Sequence, residues 1–332
     1  MADIGLFNED VFSVSSLTAA INEQDKAPSR IGDLGIFDEE GISTTTVNIE
    51  KDGDVLSLVP AASRGASGTV VNDSKRIMIP FNCVHLPLRA TIMADEIQNV
   101  RAFGTSSELE TLQVKVNKRL GKMRRRIDVT HEWHRVGAIK GKVLDADATT
   151  VLLDIYKTFE VDQKVREIDF SNTNLEIRLL IDDFLCDIED ALKGQTFTGA
   201  RVLCGHNIWR WLITLKTVKE TFLNTQMASD LRDDPREAFS FGGVTWERYR
   251  GSVGAVSFIG ADEAYVVPEG VPELFMSNFA PANYMETVNT EGVPYYAKQR
   301  VLEFDKGVEL EAQSNPLHIC TRPSAIIRLA KA

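Results

Sequence analysis

The sequence places several chemically capable side chains close together, and each grouping can be compared with the reaction it would serve. His131-Glu132-Trp133-His134 brings two imidazoles and a carboxylate into four residues. A zinc-protease helix needs histidines at i and i+4, with Glu directly after the first. Here the second histidine stands at i+3, and both fall where an apolar helical stripe continues after Ile127, so a packed pair is expected. Cys204 and His206 have the residue types of a nucleophile and its base. They lie two residues apart near a strand end, with no Gly-rich turn and no marked third partner. Asp182, Asp183, Asp187, Glu189 and Asp190 fall mostly on the polar side of one helix, the pattern of a solvated face. Arg64-Gly65-Ala66-Ser67-Gly68 lacks the lysine and spacing of a phosphate loop, and neither Gly-x-Gly-x-x-Gly nor Gly-x-Ser-x-Gly occurs. The residues therefore predict no catalytic site, no cofactor and no metal. Lys115 to Arg126 holds seven cations in twelve residues without an aromatic among them, so stacking on bases is not expected there. Such a face suits solvent, a phosphate backbone or acids on an adjacent subunit.

The elements that must carry these residues belong to a folded chain. Its 332 residues are 43% hydrophobic and 26% charged, ordinary for a globular protein and long enough for one large core or two modest ones. No run of eighteen apolar residues exists, and the first residues lack the basic start and apolar block of a secretory signal. Cys83, Cys186, Cys204 and Cys320 are scattered, which suits a reducing compartment and gives no disulfide framework. The net charge of −11 is uneven: residues 105–140 carry +5 and the rest −16. Opposite charges on separate parts of one chain suit self-association.

Four stretches follow in order. Residues 1–45 show small apolar groups without a sustained period and read as an extended arm that must bury Phe7, Phe12 and Phe37 against something else. Asp3-Ile-Gly-Leu-Phe-Asn-Glu-Asp is echoed by Asp33-Leu-Gly-Ile-Phe-Asp-Glu-Glu. Residues 43–103 read as strands and hairpins with a small-residue, Gly-containing tip. From 105 to 137, Leu109, Leu112, Val116, Leu120, Met123 and Ile127 recur at steps of three and four, predicting one unbroken amphipathic helix roughly 50 Å long, closed at Gly141. A hairpin is then expected around Asp145-Ala-Asp-Ala, followed by a mixed α/β region from about 172 to 304. Within it the pattern predicts helices over 174–193 and 206–223, a buried strand over 200–204, strands over 241–249 and 253–259, and a loop-rich stretch over 268–295. Strand character returns over 306–329.

That order, with its local wording, resembles the lambda-like phage major capsid protein E family. The residues that carry the likeness are Leu34-Gly-Ile-Phe-Asp-Glu-Glu-Gly-Ile-Ser-Thr-Thr-Thr-Val-Asn-Ile-Glu, Asp54-Val-Leu-Ser-Leu-Val-Pro with Arg64-Gly65, Gly141-Lys-Val-Leu-Asp-Ala-Asp-Ala-Thr-Thr-Val-Leu, and Leu310-Glu-Ala-Gln-Ser-Asn-Pro-Leu-His-Ile-Cys-Thr-Arg-Pro. The resemblance implies an α+β chain with the Hong Kong 97-type capsid fold: an N-terminal arm (1–45), an extended loop (46–100), a peripheral domain (101–171) with a spine helix (105–137), an axial domain (172–305), and return strands of the peripheral domain (306–332). It implies a structural subunit rather than an enzyme. Copies would form hexamers and pentamers of an icosahedral tailed-phage head around double-stranded DNA held without sequence specificity. Its other expected partners are a separate scaffolding protein, a portal and a decoration protein, with no membrane. The expected place is the virion, and the host cytoplasm during assembly. On this reading Phe7, Phe12 and Phe37 anchor the arm on neighbours. Arg64, Lys75 and Arg76 are loop contacts, and Lys115, Lys118, Arg119, Lys122 and Arg126 form a charged face that points inward or pairs subunits. The rival readings are a cytosolic metal-dependent enzyme using His131, His134 and a distant carboxylate, and a nucleic-acid-binding module using the basic helix.

Overall fold

The computed structural model describes residues 10–51, 77–97, 108–169, 172, 175–223 and 238–332. Phe7, Arg64, Lys75 and Arg76 lie outside those residues. The chain forms two compact units: 1–47, 81–135 and 276–318 make the first, and 48–80, 136–275 and 319–332 the second.

The helix legible in the sequence is one element, Glu108–Lys140. Leu112, Val116, Leu120, Met123 and Ile127 are all buried, as their spacing requires. In the first unit this stripe shares a core with Ile92, Val308, Leu310 and Ala312 of a three-stranded antiparallel sheet. The sheet runs Tyr296–Val301, Gly307–Ser314, Leu86–Met93. A second small sheet pairs Asp38–Gly41 in parallel with Phe275–Phe279, which neighbours Pro316–Cys320.

The arm differs from the expected extended segment. Ser13 caps a helix over Val14–Glu23, its Oγ accepting from the Ser16 N–H at 3.3 Å. Leu17 and Ile21, four apart, face the core shared with the long helix. Ser29 caps a second, short helix over Arg30–Leu34, and Gly35 closes it at φ 62°. Phe12 and Phe37 are 3% and 8% exposed, buried by their own chain. The expectation that they wait for a neighbour is therefore corrected, because the arm folds amphipathically onto its own unit. Thr46–Lys51 and Ile77–Asn82 pair as a two-stranded sheet; the tip between them lies outside the described residues.

The second unit is built on a six-stranded mixed sheet. Its order is Lys164–Ile168, Ile327–Lys331, Glu263–Glu269, Gly199–Cys204, Val244–Arg248, Phe239–Phe241. Ile177–Leu192 is helical and buries Ile177, Ile181, Phe184 and Ile188, with Lys193 and Gly194 left-handed at its end. Phe184 meets Trp246 of the sheet edge-on, ring centroids 6.4 Å apart. Five expectations change. The strand over 253–259 is a tight pair, Ser252–Val253 and Val256–Ser257, turned at Gly254. The helix of 206–223 is two, His206–Thr214 and Lys216–Leu223, because Leu215 turns to ψ 135°. The strand over 241–249 is a hairpin: Gly242 and Gly243, both at positive φ, make the two-residue turn. The region 268–295 contains the strand Phe275–Phe279. Of the late strands, Gly307–Ser314 stays in the first unit, whereas Ile327–Lys331 joins this sheet; the junction expected near 305 falls within the first unit.

Gly141 ends the long helix at φ 84°, and a Cβ there would meet the Tyr156 ring at 2.0 Å. Gly141→Ala combines a disfavoured backbone with an overfilled site. It is expected to lower stability by about 2–4 kcal/mol, read as a fall in the denaturant midpoint.

Candidate functional site

The long helix carries a second stripe beside its apolar one. Arg124, Asp128, Glu132 and Arg135 recur at steps of four, four and three, so they share a face. All four are buried. Buried charges are tolerated only when paired and hydrogen-bonded, and the arm supplies the partners. Arg124 Nη1 lies 2.8, 2.7 and 2.5 Å from the carbonyl oxygens of Ile21, Asn22 and Gln24, a cation at the C-terminus of the first arm helix. Asp128 accepts the Ala27 N–H at 2.8 Å and a short bond from the Tyr295 hydroxyl. Glu132 accepts the Ser29 hydroxyl at 2.5 Å and the N–H groups of Ile31 and Gly32 at 2.8 and 3.3 Å, a carboxylate under the start of the second arm helix. Arg135 donates to Glu39 at 2.5 Å and stands 6.0 Å from the Phe37 ring centroid. Asn22 ties the arm helix to the sheet by donating to the Tyr295 carbonyl at 2.8 Å. The arm from Ile21 to Glu39 is thus clamped along about three turns of helix. A cavity of about 240 Å³ beside the clamp is lined by Lys26, Arg124 and Arg135 and, against them, by Asp33, Glu39 and Asp128, so its charges balance.

Next to this ladder sit three buried histidines. His131 Nε2 is 2.9 Å from Ser314 Oγ, and the ring stacks 5.6 Å from Tyr295. His318 Nδ1 is 2.7 Å from Ser277 Oγ, its ring 5.2 Å from that of His131 and 6.4 Å from that of His134. Burial, with the cationic Arg135 and the other imidazoles nearby, holds His131 and His318 well below the ordinary pKa of 6.5. The packed reading of His131 and His134 therefore stands, with His318 as an unforeseen third member. Among the described residues no group of His, Cys, Asp or Glu could hold a metal ion. Cys204 is buried, and burial pushes its thiol far above the usual range, the reverse of an activated nucleophile. Asp187 pairs with Lys164 and Arg166, while Asp182, Asp183, Glu189 and Asp190 are exposed.

Of the cationic face, Lys118, Lys122 and Arg126 form an exposed row at steps of four. Lys115 is half-buried, and Arg119 donates to Glu96 at 2.7 Å. Sequence reasoning singled out this row and missed the buried ladder beside it. The available signal was a row of two acids, Asp128 and Glu132, flanked by two cations, Arg124 and Arg135, at helical spacing beside the apolar stripe.

What these residues define is a scaffold of clamped elements, and no helix among the described residues is long and apolar enough to cross a membrane. The comparisons agree on the class. The family described as phage major capsid protein E matches residues 13–331, and the chain belongs to it. That family is one of structural proteins, not enzymes. The chain is 27% identical to the major capsid protein of Salmonella phage Felix O1 (isolate Felix O1-VT1), covering 95% of each. It is also 27% identical to the major capsid protein of Pseudomonas phage KPP10, over 89% of this chain and 90% of that one. Among solved structures, a prophage protein of E. coli CFT073 assigned as a capsid protein superposes with a TM-score of 0.60 at 15% identity, over 96% of this chain and 99% of that one. The capsid of Myoviridae phage XM1 gives 0.51 at 12%, over 93% and 94%. The fold is the Hong Kong 97-type capsid fold.

Glu132→Ala removes the acceptor of the Ile31 N–H and of the Ser29 hydroxyl, leaving Gly32 only its bond to Ser29, and is expected to destabilise arm docking by about 3 kcal/mol. Limited trypsin digestion should then cut after Lys26 and Arg30 at least about tenfold faster than in the wild type. Neutral burial of His131 and His318 fixes a sign as well. Above pH 6.5 both histidines are neutral folded or unfolded. Below it only the unfolded chain takes up the protons, so stability falls with pH by up to about 1.4 kcal/mol per unit for each histidine. Denaturant midpoints between pH 7.5 and 5 should show this slope, shallower in His318→Asn.

Proposed function

We propose that this chain is the major capsid subunit of a tailed phage, self-assembling into hexamers and pentamers of an icosahedral head that encloses double-stranded DNA. The observation that carries the reading is membership of the capsid family over residues 13–331, with a capsid fold beneath it. The physics supports it. A shell subunit needs no reacting centre; it needs surfaces weak singly and strong in sum, because closure multiplies each contact. A separate scaffolding protein, a portal and a decoration protein complete the assembly, which proceeds in the host cytoplasm and ends in the virion. Within the subunit, we assign the axial role to the second unit, with 136–275 and 319–332 in place of 172–305, and the peripheral role to the first. Of the stretch 46–100, Leu86–Met93 belongs to the first unit's own sheet, and it is the segment between the paired strands Thr46–Lys51 and Ile77–Asn82, with Arg64, Lys75 and Arg76, that we assign to contact with a neighbouring copy, along with Phe7. The exposed row Lys118, Lys122 and Arg126 supplies charge toward the enclosed DNA or an acidic face of a neighbour. The net charge of −11 limits general sticking to the polyanion.

Electron microscopy of the purified protein, alone and with its scaffolding partner, tests the reading. Capsomer rings or closed shells are expected. A monodisperse monomer in both samples, with stoichiometric zinc or tight, salt-sensitive DNA binding, would contradict it.

A further inference from the structure

Two helices of this chain carry exposed charged faces of opposite sign. In the first unit, Glu108–Lys140 turns Val114, Lys118, Lys122 and Arg126 outward at steps of four, on the side away from its apolar stripe, with Arg125 exposed beside them. In the second unit, Ile177–Leu192 turns Leu179, Asp183, Cys186 and Asp190 outward at steps of four, three and four, with Asp182 and Glu189 exposed beside them. Among the described residues, Lys118, Lys122, Arg125 and Arg126 form no ion pair, and neither do Asp182, Asp183, Glu189 and Asp190. The exposed arm acids Glu23 and Asp25 do not pair with the first row, and the exposed Arg178 and Lys193 do not pair with the second. The charges that do have partners stand beside the rows: Arg119 meets Glu96 at 2.7 Å, and Asp187 meets Lys164 and Arg166 at 3.3 and 2.7 Å.

Each row repels itself. Lys118, Lys122 and Arg126 stand at i,i+4, where like charges destabilise a helix. Glu189 and Asp190 lie in the last turn of their helix, where the dipole disfavours anions. Desolvation, followed by the fields of Asp182, Glu189, Asp190 and Asp183, holds the Cys186 thiol above its ordinary pKa, so the four carboxylates converge on one spot. The faces also match in length. At about 1.5 Å per residue, Val114 to Arg126 spans about 18 Å and Leu179 to Asp190 about 16 Å. Each begins with an exposed aliphatic side chain, Val114 at 62% and Leu179 at 60%. Laid side by side and parallel, Val114 meets Leu179, Lys118 meets Asp183, Lys122 meets Cys186 among its acids, and Arg126 meets Asp190. A phosphate backbone would answer the cations alone and leave the acidic face unpartnered. A second copy answers both faces, and because they are different surfaces the contact is head-to-tail, the kind that closes into rings.

We infer that the Val114–Arg126 face of one copy docks on the Leu179–Asp190 face of a second copy. This rests on the shell-subunit reading and chooses an acidic neighbour over the enclosed DNA as the partner of the basic row. Lys122→Glu with Arg126→Glu, and separately Asp183→Lys with Asp190→Lys, change only exposed side chains, so thermal midpoints of the dispersed chains should stay within about 3 °C of wild type. In DNA-free assembly with the scaffolding partner, each reversed pair should raise the concentration needed by about tenfold or more. All four substitutions in one chain should bring it back to within about threefold of wild type. Lys122→Cys should, on oxidation of assembled material, link separate chains through the native Cys186, and adding Cys186→Ser should remove the link. Unchanged assembly of either reversed pair overturns the proposal. So does a quadruple variant that fails to recover, the outcome if the basic row faces DNA or another protein. A disulfide that is absent from assembled material, confined within one chain, or retained in Cys186→Ser overturns it as well. Failure of the wild type to assemble at all is a separate result, which overturns the shell reading and this contact with it.

Discussion

Four charged residues on one side of a helix cannot be buried unless something answers them, and that constraint organises the first unit. Arg124, Asp128, Glu132 and Arg135 are withdrawn from water, and their partners are the backbone and side chains of residues 21–39, joined by Tyr295 at Asp128 and Arg124. The arm helices in turn leave end groups that need partners. Arg124 meets the carbonyls at the end of the first, and Glu132 meets the N–H groups at the start of the second. Each side removes a cost that the other would carry alone. The apolar contacts of Leu17 and Ile21 with the long helix supply favourable burial, and the polar ladder sets the register.

Much of the architecture was legible because its causes are local. Steps of three and four from Leu109 to Ile127 define a helix face whatever the rest of the chain does, and Gly141 and Gly194 stop helices by backbone geometry alone. The acidic face of Ile177–Leu192 was read as solvated, and four of its five carboxylates are. The arm was not legible, because its groups make sense only against partners about a hundred residues away, as Ile31 does with Glu132. Its first helix is ten residues, too short for propensity to decide. The Gly242-Gly243 turn was present in the sequence as a known hairpin signal, but the β-rich residues on both sides masked it. His318 could not be joined to His131 from sequence, since 187 positions separate them.

For the function, the folded arm changes which surfaces are left for assembly. Phe12 and Phe37 help to complete the subunit, so they are not free apolar anchors. Exposed apolar side chains stand elsewhere on the first unit: Phe304 on its left-handed turn, and Met285 and Val288 beyond the strand Phe275–Phe279. The buried anchors of the subunit and its exposed apolar side chains are therefore different residues. A shell protein that must exist as a dispersed chain before it joins a lattice is well served by that division.

Native-state hydrogen exchange of the dispersed wild-type chain tests most directly whether the ladder holds the arm within the subunit. The amide protons of Ala27, Ile31 and Gly32, bound to Asp128 and Glu132, should be protected to about the same degree as those at the centre of the long helix. Exchange at the rate of a free peptide, with protection appearing only after assembly, would contradict the account.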